Sequence, residues 1–168
     1  MQSTSGNATT PETEFIEVSR ILLREDYLPK LLHCLDRMSD EDLWWRPNNV
    51  SNSVGNLILH LCGNVRQWIV ASIGGARIQR DRDSEFAARG PIPRAELLAS
   101  LKQALEEVDA VLAKLDSGRL LNRLQIQKYD VSTLHAVYHV VEHFSYHLGQ
   151  ILYIYKMRTG VDPSFYRF

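Results

Sequence analysis

Cysteine is scarce in this sequence, with only two among 168 residues, and they stand far apart at Cys34 and Cys62. A disulfide framework is therefore excluded as the basis of the fold, and both thiols are expected in the core of a reduced protein. A dominant charge is lacking too, since nineteen Lys and Arg oppose twenty Asp and Glu for a formal net charge of −1. No global field recruits nucleic acid or an anionic membrane surface. The sequence has no run of about 18 apolar residues, which argues against a membrane span. Neither Gly-x-Gly-x-x-Gly nor a phosphate loop occurs, which removes the commonest nucleotide sites. Met1 to Pro11 show neither the basic stretch nor the apolar run of a secretory leader, so 1–11 read as a disordered tail and the expected location is cytoplasmic.

What the chain does have is apolar periodicity, with 45% hydrophobic residues. That is enough for one domain over residues 12–168. Phe15, Val18, Leu22, Leu28, Leu31, Leu32 and Leu35 recur at helical spacing and predict a first helix from Glu12 to about Met38. Pro29 inside it removes a backbone donor and predicts a kink near Glu25 to Tyr27. Ser51 to Ser53 offer N-caps for a second helix from Val54 to Ile73, which Gly74 and Gly75 stop. Residues 76–92 are charge-dense and aperiodic, which suits a long, mobile crossover. A third helix is expected from Pro93 to Leu115, then an extended loop or hairpin over Leu120 to Tyr129, then a fourth helix from Val131 to Arg158. The predicted class is all-α, a four-helix bundle with a long crossover.

Histidine is concentrated in that fourth helix: His135, His139, His143 and His147 follow one another at intervals of four. Neighbours at i and i+4 stack on one side of a helix with Cβ atoms ~6 Å apart, close enough for two to share a metal ion. His139 and His147 lie ~12 Å apart along the axis and cannot both do so. Two pairs remain, His139 with His143 or His143 with His147. A third ligand must come from another helix; His60, on a polar row with Asn64 and Gln67, is the first candidate and His33 the fallback. Placing residues at 100° intervals puts Leu134, Val137, Tyr138, Val141, Phe144, Leu148, Leu152 and Tyr155 on one stripe and the histidines roughly opposite. Ala136, Val140, Ile151 and Ile154 flank the histidines, so this helix is expected to be buried on both sides, one packing the bundle and the other facing a pocket, the crossover or a second subunit. A pocket on the flank of the bundle is the expected location of the site.

Two familiar metal patterns do not hold. His139-Val-Val-Glu142-His143 matches H-x-x-E-H, but those enzymes also need a downstream glutamate ligand, and none follows Glu142. A di-iron site needs Glu-x-x-His, and Ser145 stands three residues after Glu142.

Leu43-Trp44-Trp45-Arg46-Pro47, Ser53-Val-Gly-Asn-Leu-Ile-Leu-His60-Leu and His139-Val-Val-Glu-His143-Phe-Ser-Tyr-His147-Leu-Gly-Gln150 together resemble the DinB superfamily of damage-inducible and related bacterial proteins. The resemblance covers nearly the whole chain from the first helix to Gln150. It implies an up-down-down-up connection, frequent homodimers, and a divalent metal held by His60, His143 and His147. Nickel or zinc comes first among the candidates and manganese or iron next. His139, Asn64, Gln67 and Gln150 are then expected around the pocket, with His135 an incidental surface group. Many relatives carry arginine directly after the last histidine, where this chain has Leu148.

Relatives with known activity resemble thiol-dependent transferases and isomerases, which implies a small-molecule substrate and a low-molecular-weight thiol. In chemical terms, three neutral imidazoles leave an ion its full charge and an open position, sufficient to lower the pKa of bound water or thiol. Glu142, Tyr146, Gln150 and Asn64 are candidates for orienting a substrate. The alternatives are a non-catalytic metal-binding or stress-response module and a dimeric scaffold.

Overall fold

The computed structural model describes residues 9–165; residues 1–8 of the expected tail lie outside that range. Helix α1 (Pro11–Ile21) starts one residue before the predicted boundary, because Thr10 and Thr13 form a reciprocal capping box. It runs into a π-helical segment (Leu22–Tyr27) and then α2 (Leu28–Leu35). The predicted kink takes the form of this widened turn, in which the Leu28 N–H reaches back to the Leu23 carbonyl. Pro29, in the first turn of α2, has no N–H to lose there.

A short α3 (Asp40–Trp44) precedes α4 (Val54–Val65), which Ser53 caps and a second π-helical segment (Arg66–Ala71) extends. Gly75 then turns the chain with a φ of 77°, a conformation open to residues without a Cβ.

The crossover departs from expectation. It holds a helical turn, α5 (Arg82–Ala87), whose N-cap Asp81 accepts from the Ser84 N–H. The Asn56 amide donates to the carbonyls of Glu85 and Ala88 at 2.8 and 3.0 Å, and Arg46 donates to the same Ala88 carbonyl at 2.9 Å. A segment predicted to be mobile is thus fastened to α4 by bonds that satisfy its own backbone. Helix α6 (Arg94–Leu112) follows, with Pro93 as its N-cap residue rather than in its first turn.

Of the two options for Leu120 to Tyr129, the hairpin is the one formed. Strand β1 (Arg123–Ile126) pairs antiparallel with β2 (Tyr129–Ser132) around Gln127 and Lys128. The fold is therefore mostly helical with a small two-stranded sheet, not purely α. Val131 belongs to β2, so α7 (Thr133–Thr159) starts two residues later than predicted, capped by Ser132 and ended by Gly160 at a φ of 68°.

Contacts along the long helices give their directions. Arg66 pairs with Glu107, and Gly74 lies against Val111, so α4 and α6 run the same way. Arg20 pairs with Asp109 while Arg94 donates to the Asp36 and Met38 carbonyls, so α1 and α2 run against α6. Tyr27 stacks on Phe144 and Asp42 pairs with Arg158, so α7 runs with α1 and α2. Leu31, Leu35, Ile58, Leu61, Leu101, Leu105, Phe144 and Tyr155 fill the space between them. Burial of each such side chain stabilises the fold by roughly 1.5–3 kcal/mol. Cys34 and Cys62 are free, buried in this core, and pushed up to about 11 by burial. They are protonated at neutral pH.

The orientation of α7 bears out part of the predicted stripe, with Val137, Phe144, Leu148 and Tyr155 buried, and corrects the rest. Leu134 is 37% exposed and Tyr138 60%, whereas Ala136, Val140, His147, Ile151 and Ile154 are buried. A tyrosine hydroxyl can stay wet at a surface, so Tyr138 lies at the exposed edge of the stripe and not in the core. His143 and His147 face α4, and the cleft lined by His135, His139 and His143 lies beside them.

Candidate metal centre

Helix α4 carries His60 where the polar row meets its buried side, and α7 presents His143 and His147 one turn apart. The three offer ring nitrogens that all lie within 4.8 Å of one another. His60 Nε2 and His143 Nε2 approach to 2.9 Å. Ligands ~2.1 Å from a tetrahedral ion are ~3.4 Å apart, inside this range. His60 is 4% exposed and His147 7%.

The outer nitrogens of two rings are already committed. His60 Nδ1 lies 2.9 Å from Glu85 Oε2, and His147 Nδ1 lies 2.8 Å from Gln150 Oε1. Each oxygen accepts, so each Nδ1 carries the proton and each Nε2 keeps its lone pair for the centre. His147 Nε2 is buried without a hydrogen-bond partner among the described residues. A bare lone pair there costs stability unless something binds it, and a cation meets that need. The donor set fits a borderline-soft divalent metal.

Protonation agrees with this geometry. Burial pulls His143 down to about 3, and repulsion from His147, His60, His139 and Arg80 adds to it. His147 is also lowered, first by burial, although its bond to Gln150 opposes the shift. Neutral imidazoles are what a metal requires.

Glu85 is the residue the sequence reading missed, and Arg80 goes with it. Burial alone would raise the Glu85 carboxyl, but hydrogen bonds from Arg80 and His60 outweigh that and hold it below its ordinary value. Arg80 donates through Nε to Oε1 and through a terminal nitrogen to Oε2, both at 2.7 Å. The same terminal nitrogen lies 3.1 Å from His60 Nδ1, but with the proton on Nδ1 there is no lone pair to accept from it, and its hydrogen bond goes to the carboxylate. A Cβ at Gly63 would collide with Glu85 Oε1, so a glycine on α4 is what lets this carboxylate reach the imidazole. Its visible signal was Asp81 followed by Asp83 and Glu85, an N-cap with an acidic first turn.

The remaining candidates fall into place around the three rings. His139 stacks on Trp68 at 4.1 Å and on His143 at 5.2 Å, and burial lowers its pKa. Asn64 is buried beside the site, with an amide oxygen that has no partner among the described residues. Gln67 accepts from Arg80 and from Gln127 of the hairpin, so it supports Arg80 and not the rings themselves. His135 is exposed at the rim of the adjoining cleft, and His33 packs on Phe165 away from the cluster. Glu142 is exposed, and Tyr146 touches His147 edge-on while remaining 60% exposed. Leu148 is a core residue. The cleft itself has a volume of about 670 Å³ and opens between α4, α7, the crossover and the hairpin.

Known structures place this fold in a class. A conserved protein from Enterococcus faecalis superposes with a TM-score of 0.73 at 14% identity, covering 92% of this chain and all of the other. A DinB-like protein from Bacillus cereus gives 0.60 at 14% identity, covering 85% of this chain and 97% of the other. The fold is thus DinB-like. Within that class, residues 12–163 match the family described as a protein of unknown function (DUF1572), and the chain belongs to it. No curated protein matches the sequence.

Proposed function

We propose that this protein holds a divalent metal ion, nickel or zinc, through His60, His143 and His147, within a four-helix bundle connected up-down-down-up. The observation that carries the reading is the buried His147 Nε2, without a hydrogen-bond partner among the described residues, which shares a space of 4.8 Å with ring nitrogens of His60 and His143. Glu85 and Gln150 fix the tautomers of His60 and His147. The ion would supply a Lewis acid that lowers the pKa of a bound thiol or water near neutral pH.

The protein's own groups then do the rest of the work in a metal-dependent reaction of the thiol-transferase or isomerase type. Three protein ligands leave a coordination position free, and the adjoining cleft gives a small molecule access to it. Asn64 offers a buried acceptor for a substrate N–H or O–H, and the Trp68 and His139 rings wall off one side from water. The neutral His139 stacked on His143 is placed to accept a proton from the cleft. A non-catalytic ion that merely staples α4 to α7 would close its shell with a fourth protein ligand, and no other His, Cys, Asp or Glu among the described residues joins the cluster.

Elemental analysis of purified variants tests the ligand set. His60→Ala, His143→Ala and His147→Ala should each lose stoichiometric metal, while His139→Ala should retain it. Full metal content in the His143 variant would overturn the assignment.

A further inference from the structure

The cleft beside the three imidazoles has a charge pattern of its own. Its lining contains Arg80, Arg82 and Lys128 but no aspartate or glutamate. Arg80 is neutralised by Glu85, which is committed to it and to His60. Arg82 and Lys128 are exposed, and neither has a carboxylate within ion-pair distance among the described residues. The guanidinium of Arg82 sits 5.0 Å above the Phe86 ring, which in turn packs at 4.6 Å on His60. Lys128 Nζ lies 5.5 Å from the Tyr129 ring. From there a wall of rings leads inward, Tyr129 to Trp68 at 6.1 Å, Trp68 to His139 at 4.1 Å, and His139 to His143.

We infer that the cleft takes a small organic carboxylate with a planar body, its anionic end between Arg82 and Lys128 at the mouth and its reactive end at the imidazole cluster. The inference rests on the metal reading for the inner end only. Electrostatics favours it at both ends, because a divalent ion on neutral imidazoles keeps its charge and no lining acid offsets the two free cations. Planarity follows from the rings, against which a flat, unsaturated body stacks with less loss of freedom than a flexible chain.

A pair of probes separates the two ends. In 4-carboxybenzohydroxamate and 4-carbamoylbenzohydroxamate the hydroxamate grips a metal in the same way, and only the far group differs in charge. Calorimetric titration of the zinc-loaded protein should show the carboxylate binding about tenfold more tightly than the carboxamide. The Arg82→Ala/Lys128→Ala double variant should lose that preference while its zinc content and its affinity for the carboxamide stay unchanged. Equal affinities in the unaltered protein, a preference that survives the double variant, or no binding of either compound to zinc-replete protein would overturn the inference. Failure of both zinc and nickel to load would overturn the metal reading instead. In that case a preference for benzoate over benzamide in the metal-free protein, read by chemical-shift titration and abolished in the double variant, still decides the cation pair.

Discussion

Two of the arginine–carboxylate clusters in this molecule, one at Asp109 and one at Glu85, are built from the same chemistry to different ends. Asp109 on α6 takes Arg20 on one oxygen and Arg24 on the other, each at 2.8 Å, and so fastens α6 to the first helical rod. Glu85 on α5 takes Arg80 on both oxygens but shares Oε2 with the Nδ1 of His60. The first cluster is half open to solvent at Arg24, with a side chain 49% exposed, while in the second both side chains are below 10%. The comparison teaches that an ion pair becomes part of a site when it is buried and one carboxylate edge is turned to an imidazole. Asp109 holds position, whereas Glu85 sets the proton and the angle of a ring.

The largest effect expected from breaking this contrast is on stability. Glu85→Ala leaves the Arg80 guanidinium buried without its partner and should cost about 3–5 kcal/mol, whereas Asp109→Ala should cost about 1 kcal/mol. Urea unfolding of the two variants side by side measures the difference, and equal midpoints would erase it. A milder change sharpens the functional half: Glu85→Gln should weaken metal binding by roughly 10–100-fold, because the proton on His60 is no longer held by a charge. Asp109→Asn should leave metal affinity where it was, as competition with a chromogenic chelator would report. Gly63→Ala should move affinity in the same direction as Glu85→Gln with every ligand in place, since the added methyl displaces the carboxylate; an unchanged affinity would separate Gly63 from the site.

The smallest effect concerns acid. Burial would raise the Asp109 carboxyl, but Arg20 and Arg24 hold it below its ordinary value in the folded protein. Its contribution to stability is therefore complete above the unfolded value of ~3.9 and is lost as pH falls through the folded one. Asp109→Asn should flatten the stability profile in that window and leave it unchanged above about pH 5, as chemical denaturation at a series of pH values would show.

Much of the site was legible because helix geometry is rigid. Spacing of four put His143 beside His147, axial rise separated His139 from His147, and the Asn64 and Gln67 row drew attention to His60. The long helices were legible for the same reason, with errors of one to three residues at their ends. Burial of α7 was legible in part: Val137, Phe144, Leu148 and Tyr155 are buried as expected, but a helix apolar around most of its circumference gives no single direction, and Tyr138 and Leu134 sit at its exposed edge. Glu85 was hidden differently. It contacts His60 across 25 residues from an aperiodic stretch, and charge density there signals solvent unless the partner is known. Only the backbone of Glu85 and Ala88, held by Asn56, shows why the crossover folds back at that point.

The separation of the ring nitrogens along the chain has a consequence for biosynthesis. His60 and His143 are 83 residues apart, a stretch that takes a ribosome about 4–17 s at ~5–20 residues per second. Throughout that interval the nascent chain carries His60 and then Glu85 with nothing opposite them, so no ion can be gripped until α7 has left the exit tunnel and docked. On the proposed reading, loading would thus be a late, post-synthetic event, and the identity of the ion would be decided by whichever metal the finished protein meets first and releases most slowly.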